Sequence, residues 1–390
     1  MLNPAQERTA MLVDLILLYG PSNYSQIARS IGLPEETVRY KINVQLPRRG
    51  LKIHAIPNYF RLGLRRKIVE LTFNRLTASK ASEAFAKSAP ELYLTYIGKD
   101  IHSRSFSLFS AVPNTYWSSY LDFLNYFVER QVIEAYSAED VWWQRYIPFN
   151  ARLFDFERGE WLFDLEKIKS SKVEIPVIKP LDEGLFEQDY LDLVILSELQ
   201  FNASTPLSKI AANIGENPDN IYYHYTNHIK ARELISQYAV GWVGEGTYRA
   251  DNVSQVLFTI KEVTQSALQE VRRLFYNFPF SWLELITREG NYNVFLNIPS
   301  QYLNLSLHYL NRQLNSITES VSVKLFDPFE SLGFPLPLKM FDDKKKWVFN
   351  EAQTIRQFES FFLRSIEISP VAFPRILPAN SERLATNIPI

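Results

Sequence analysis

SQIARSIGLPEETVRYKIN, residues 25–43, recurs further along the chain as SKIAANIGENPDNIYYHYT, residues 208–226. At a constant offset of 183, Ser25, Ile27, Ala28, Ile31, Gly32 and Tyr40 fall on Ser208, Ile210, Ala211, Ile214, Gly215 and Tyr223, and Val38 falls on Ile221. Ile27, Ala28 and Ile31 have the spacing of the buried stripe of a short helix. Gly32 follows where a chain leaving a helix needs a left-handed residue. Pro34, Glu35 and Glu36 then open a second helix, with proline near its first turn and acids at its positive end. Val38 and Ile42 give that helix a buried side and leave Thr37, Arg39, Tyr40, Lys41 and Asn43 on other faces. A helix, a turn containing glycine and a second helix exposing polar groups make the helix-turn-helix pattern. Residues 8–20 read as the preceding helix, and Leu51–Ile56 as a wing strand.

The chain around the two copies repeats as well. After the first come strand-like Ile68–Asn74, helical 77–88, strand-like Leu92–Ile97 and Ser105–Val112, helical 115–130 and a last strand over 132–142. The second copy repeats the order with Val256–Lys261, 264–277, Phe280–Ile286, Tyr292–Ile298, 301–316 and Val321–Phe326. Strand–helix–strand–strand–helix–strand is the ferredoxin-like arrangement. The expected class is therefore α+β, an internal tandem repeat of two winged helix-turn-helix domains, each followed by a ferredoxin-like domain. The expected boundaries are 1–66 and 67–150 for the first pair, 151–187 for a linker with one hairpin, 188–250 and 251–330 for the second pair, and 331–390 for an extension. That extension carries a basic run at Lys344–Lys346, a helix around 350–366 and proline-rich extended chain.

Composition removes several classes of function. The 390 residues include no cysteine, which excludes disulfides, thiolate nucleophiles and cysteine-ligated metals. Only 13 glycines are present, and neither GxGxxG nor GxxxxGK[ST] occurs. The amino-terminal apolar run is interrupted by Asp14 and lacks a small-residue cleavage site, and no long uninterrupted apolar run exists, so neither a secretory signal nor a membrane span is expected. The cytoplasm is the expected compartment. No nucleophile–base–orienter set stands out, so no enzyme, cofactor or metal is expected. His224 and His228 share a helix face, but no glutamate lies between them and no third ligand is evident; His54, His102 and His308 are isolated. Asp182-Glu183 and Glu187–Asp189 read as solvated linker acids. The aromatic helix with Tyr116, Trp117, Tyr120, Phe123, Tyr126 and Phe127 reads as a packing face.

Charge points to double-stranded DNA as the partner. The whole chain carries a net charge of −1, yet residues 1–67 hold eleven Lys/Arg against Glu7, Asp14, Glu35 and Glu36, a surplus of seven. A basic patch on an otherwise acidic chain suits phosphate. Arg39, Tyr40 and Asn43 are the candidates for base edges, Lys41, Arg48, Arg49 and Lys52 suit phosphates, and Thr37 is a further DNA-binding candidate. Residues 190–249 hold four cations against six acids, so Tyr223 and His224 offer a weaker contact there.

The pattern resembles the Lrp/AsnC (leucine-responsive, feast/famine) family of regulators. The residues that carry it are Gln26–Ile31, Gly32, Pro34, Thr37-Val38, Lys41-Ile42, Leu46, Gly50-Leu51 and Leu62-Gly63, with one residue more than usual between Ile42 and Gly50. Gly290–Leu296 is similar to the family's glycine-containing hairpin, and Gly98-Lys99-Asp100 is its weaker counterpart. The resemblance implies transcription regulation, an effector bound at the ferredoxin-like domains, and a homodimer. Two units in one chain depart from the family's single unit, and the aromatic-rich effector domains depart from its glycine- and acid-rich pattern. Siroheme decarboxylases resemble the same architecture; that alternative calls for basic and histidine side chains lining a cavity, for which His102, Arg104, His308 and Arg312 are the candidates. A third reading is an adaptor whose helix-turn-helix units bind protein.

Overall fold

The computed structural model describes residues 3–170, 173–179, 187–242, 252–342, 344 and 346–363. Asp182, Glu183 and Gly184 of the linker, Glu245, Arg249, Lys345 and the proline-rich tail lie outside them.

The first helix-turn-helix consists of α1 (Pro4–Tyr19), α2 (Tyr24–Ile31) and α3 (Glu35–Tyr40), a π-helical turn over Lys41–Gln45, the short α4 (Leu46–Arg48) and the wing strand β1 (Leu51–Pro57). Asn3 caps α1: its side chain accepts from the Ala5 and Gln6 amides, and Gln6 returns a bond to the Asn3 amide. Gly32 closes α2 at φ +68°, a left-handed backbone that a side chain would strain even though the space beside it is open. The ferredoxin-like elements that follow are β2 (Leu64–Phe73), α5 (Ala78–Lys87), β3 (Leu94–Lys99), β4 (Ser105–Pro113), α6 (Trp117–Glu129) and β5 (Ile133–Tyr146). A small hairpin of β6 (Phe154–Asp155) and β7 (Glu160–Trp161) and the helix α7 (Leu165–Ser170) occupy the expected linker.

The second copy repeats the series: α8 (Tyr190–Phe201), α9 (Leu207–Ile214), α10 (Pro218–Tyr223), a π-helical turn over His224–Lys230 and the wing β8 (Ile235–Trp242). Then come β9 (Val253–Ile260), α11 (Gln265–Asn277), β10 (Ser281–Thr287), β11 (Tyr292–Pro299), α12 (Leu303–Leu314) and β12 (Val321–Phe326). Two-residue β13 (Leu332–Gly333) and α13 (Glu351–Leu363) follow. Gly215 repeats the left-handed cap of Gly32, at φ +74°. The class is α+β in tandem, as the repeat requires.

The chain divides into two compact units. One comprises Met1–Asn58, Trp143–Pro180 and Ile195–Lys324; the other comprises Tyr59–Trp142, Leu181–Val194 and Leu325–Ile390. In the first unit the two wings pair with each other. β1 and β8 run antiparallel from Leu51↔Trp242 to Pro57↔Ile235. Each wing thus removes its partner's unpaired edge, which a lone wing strand would expose. The same unit holds the sheet order β12-β9-β11-β10, and the second unit holds β5-β2-β4-β3-β13. Both are ferredoxin-like orders, with the first strand of the motif between its third and fourth.

The extension, unassigned by sequence, is packing material in the second unit. Phe358 of α13 lies 5.1 Å from Phe85 of α5, and 5.5 and 4.9 Å from Phe123 and Phe127 of α6. Tyr126 donates to the Glu359 carboxylate at 2.6 Å. Ahead of α13, Trp347 Nε1 donates to the Leu62 carbonyl at 2.7 Å and Tyr93 donates to the Val348 carbonyl at 2.5 Å. The aromatic helix expected to pack does so: Tyr120, Phe123 and Phe127 are buried.

Candidate nucleic-acid interface

The second helix of the first helix-turn-helix is held from beneath by Val38 and Ile42, both fully buried. Around that anchor the remaining positions are distributed as helical spacing demands. Arg39, Tyr40 and Asn43 are exposed, Thr37 and Lys41 half-buried. Arg48, Arg49 and Lys52 are exposed on α4, just after it and on β1. Within β1, Lys52 is the single exposed residue.

Several of these side chains are already engaged. The Arg39 guanidinium is 3.1 Å from Glu35 and 3.8 Å from Glu36, and it lies 5.0 Å over the Tyr24 ring. Asn43 Nδ2 donates to the Tyr24 hydroxyl at 2.8 Å. Lys41 Nζ donates to Gln45 Oε1 at 3.1 Å. Arg48, Arg49 and Lys52 have no acidic partner among the described residues. From Lys41 to Lys52 the sequence holds four cations and no acid.

The charge surplus is smaller at the surface than the sequence suggests. Arg66 and Lys67, counted among the basic residues, are buried in β2. Lys67 pairs with Asp140 and lies 4.4 Å over the Trp117 ring. Arg66 NH1 donates to the Thr95 hydroxyl at 2.8 Å and its guanidinium lies 4.9 Å over the Tyr59 ring. With those two withdrawn, the surplus over residues 1–67 is five.

The π-helical turns were not foreseen, since the pattern of Val38 and Ile42 fits a regular helix. They occur at one place in both copies, because Lys41 and His224 are equivalent at the offset of 183. Such turns are rare and cluster at functional positions. Gln45 corresponds to His228, so the Lys41–Gln45 contact of the first copy becomes a pair of imidazoles, 4.6 Å apart, in the second. Tyr223 is exposed, with its ring 5.5 Å from that of His228. His224 is half-buried.

His54, isolated in sequence, is a core residue of the paired wings. Its Nδ1 faces the Gln200 carbonyl at 2.8 Å, which assigns the proton to Nδ1, and its buried Nε2 has no partner. Burial pushes its pKa down to about 4 against the pull of the Gln200 bond, and the charge of Lys52 adds to the lowering. None of the four residues named for a decarboxylase is buried. His102 is exposed in a turn. Arg104 is tied to Glu134 at 2.8 Å. His308 and Arg312 lie on the exposed face of α12. The buried polar groups lie elsewhere. Glu284 in β10 accepts two bonds from Arg272, both at 2.9 Å, and further bonds from the hydroxyls of Tyr276 and Tyr292. One signal could have found it: a glutamate in the middle of the otherwise apolar strand SWLELIT.

No protein-family model matches the chain, and no curated protein matches it by sequence. Among solved structures it is similar to the siroheme decarboxylase NirDL, with TM-score 0.49 and 14% identity over 91% of this chain and 100% of that one. NirDL in complex with an iron-uroporphyrin III analogue gives 0.48, at 14% identity over 92% of this chain and 100% of that one. MtbAldR gives 0.22 at 12% identity and covers 36% of this chain and 95% of its own. At such identities the likeness concerns the path of the chain and assigns no residue a role. Among the described residues, no helix is long and apolar enough to cross a membrane.

Proposed function

We propose that the chain is a DNA-binding transcriptional regulator, not an enzyme, and that its first helix-turn-helix makes the main contact with duplex DNA. The observation that carries this reading is the run from Lys41 to Lys52. Lys41, Arg48, Arg49 and Lys52 lie at the end of the second helix and the start of the wing, with no acidic partner among the described residues. Cations so placed release counterions from DNA and set affinity, while Tyr40 and Asn43 stand exposed for base edges. Arg39 reads a base only by leaving Glu35 and Glu36. Tyr223 and His224 of the second copy contribute little to affinity, because no lysine or arginine stands at these positions to neutralise phosphate. Genome-wide occupancy tests the reading: discrete, reproducible sites support it, and a profile identical to input DNA removes it.

A second reading, a tetrapyrrole decarboxylase of the kind named among the similar structures, is favoured by Arg66. This guanidinium is 2% exposed and its Nε has no partner. A buried cation without a carboxylate is costly and suits a ligand that brings one. Iron-uroporphyrin III, a polycarboxylate, is the probe. A Soret band retained through gel filtration by the wild type and lost in Arg66→Met would favour this reading over DNA binding.

A further inference from the structure

One cleft in the first unit is not explained by either reading. It is lined by residues of α1, of the turn after α2, of the π-helical turn and of the segment after β6, and it measures about 330 Å³. From α1 it is lined by exposed Ala5, half-buried Thr9 and buried Leu12. Leu33 and Phe156 add apolar walls. Three cations face it: Arg8 from α1, Lys41 from the π-helical turn and Arg49 from the segment before β1. Glu157 is the single acid on its rim. None of the three cations has an acidic partner among the described residues, although Arg39, Arg152 and Arg158 nearby in sequence or space each have one.

We propose that this cleft binds a small organic anion, a carboxylate or phosphate monoester on a compact apolar body. Three like charges around one concavity repel one another and focus a positive potential into it, so an anion relieves the repulsion. The volume lies at the small end of ligand sites, and Leu12, Leu33 and Phe156 in the lining give an organic body apolar surface to pack against, which a bare inorganic ion does not use. At the repeat offset two of the three cations are lost, Arg8 falling on Leu191 and Lys41 on His224, while Arg49 falls on Arg232. Two of its cations, Lys41 and Arg49, are also phosphate contacts in the DNA reading, but the cleft is testable without DNA. One consequence does rest on that reading, namely that an occupied cleft withdraws Lys41 and Arg49 from phosphate.

Phenyl phosphate is the probe, with phenol as its neutral counterpart and inorganic phosphate as the bare anion, each titrated calorimetrically into the intact protein without DNA. Phenyl phosphate should bind at least tenfold more tightly than phenol or inorganic phosphate. The double variant Arg8→Gln/Arg49→Gln, altered only at exposed side chains, should lose at least tenfold. Thr9→Trp, which fills the cleft without changing its charge, should abolish binding, with a thermal melt showing that it is folded. Should it fail to fold, the double variant alone decides. Equal affinity of the double variant and the wild type, or no heat from phenyl phosphate at millimolar concentration, would overturn the proposal and leave the three cations to DNA.

Discussion

His54 shows how one side chain couples the paired wings to pH. Its folded pKa of about 4 lies below the ordinary 6.5. Between those values the unfolded chain binds the proton and the folded one does not, so stability falls as pH drops through this window and is fully present above it. The loss is on the order of 3 kcal/mol at its limit, at ~1.4 kcal/mol per unit. Urea midpoints of the wild type and His54→Gln, compared at pH 7 and pH 4.5, check it. The wild type should lose more stability on acidification than the variant, and parallel loss would mean that other groups control the acid limb. Glu284 offers a second test. Glu284→Ala strands Arg272 and two tyrosine hydroxyls in the core, and breaking a buried pair in this way costs about 3–5 kcal/mol. A melting temperature unchanged from wild type would contradict that account.

Helix α13 and the paired wings show what sequence reveals of an element and what it hides. The apolar spacing of Ile27, Ala28 and Ile31 with Gly32 placed α2 and its cap, because local backbone chemistry fixes both. The ferredoxin-like orders likewise followed from the alternation of strand and helix patterns. Wing pairing was not readable: Leu51–Ile56 announces a strand, but nothing local states which edge it joins. The same holds for Arg66 and Lys67, whose charge suggests the surface while the strand on which they sit carries them inside. For α13 the pattern gave a helix and no destination. Its Phe358 now stands among Phe85, Phe123 and Phe127, so Phe358→Ala should cost about 3–5 kcal/mol, as large-to-small core changes do. Limited proteolysis followed by mass spectrometry should show faster cleavage between Val348 and α13 in the variant. An unaltered cleavage rate would mean that the helix is held by other contacts.

Taken over the whole chain, the charge is close to neutral, and its distribution sets the first helix-turn-helix apart from the second. The net charge of −1 conceals a first copy with Arg48, Arg49 and Lys52 exposed and a second copy with tyrosines and histidines at the equivalent helix. The central claim is that the first copy is the phosphate contact. The most direct measurement is fluorescence anisotropy with duplex DNA at a series of salt concentrations, wild type against Arg48→Ala/Arg49→Ala/Lys52→Ala. Each lost phosphate contact removes about 0.9 from the slope of log affinity against log salt, so the triple variant should bind more weakly on every sequence with a slope flatter by about two to three units. An unchanged affinity and slope in the triple variant would contradict the claim.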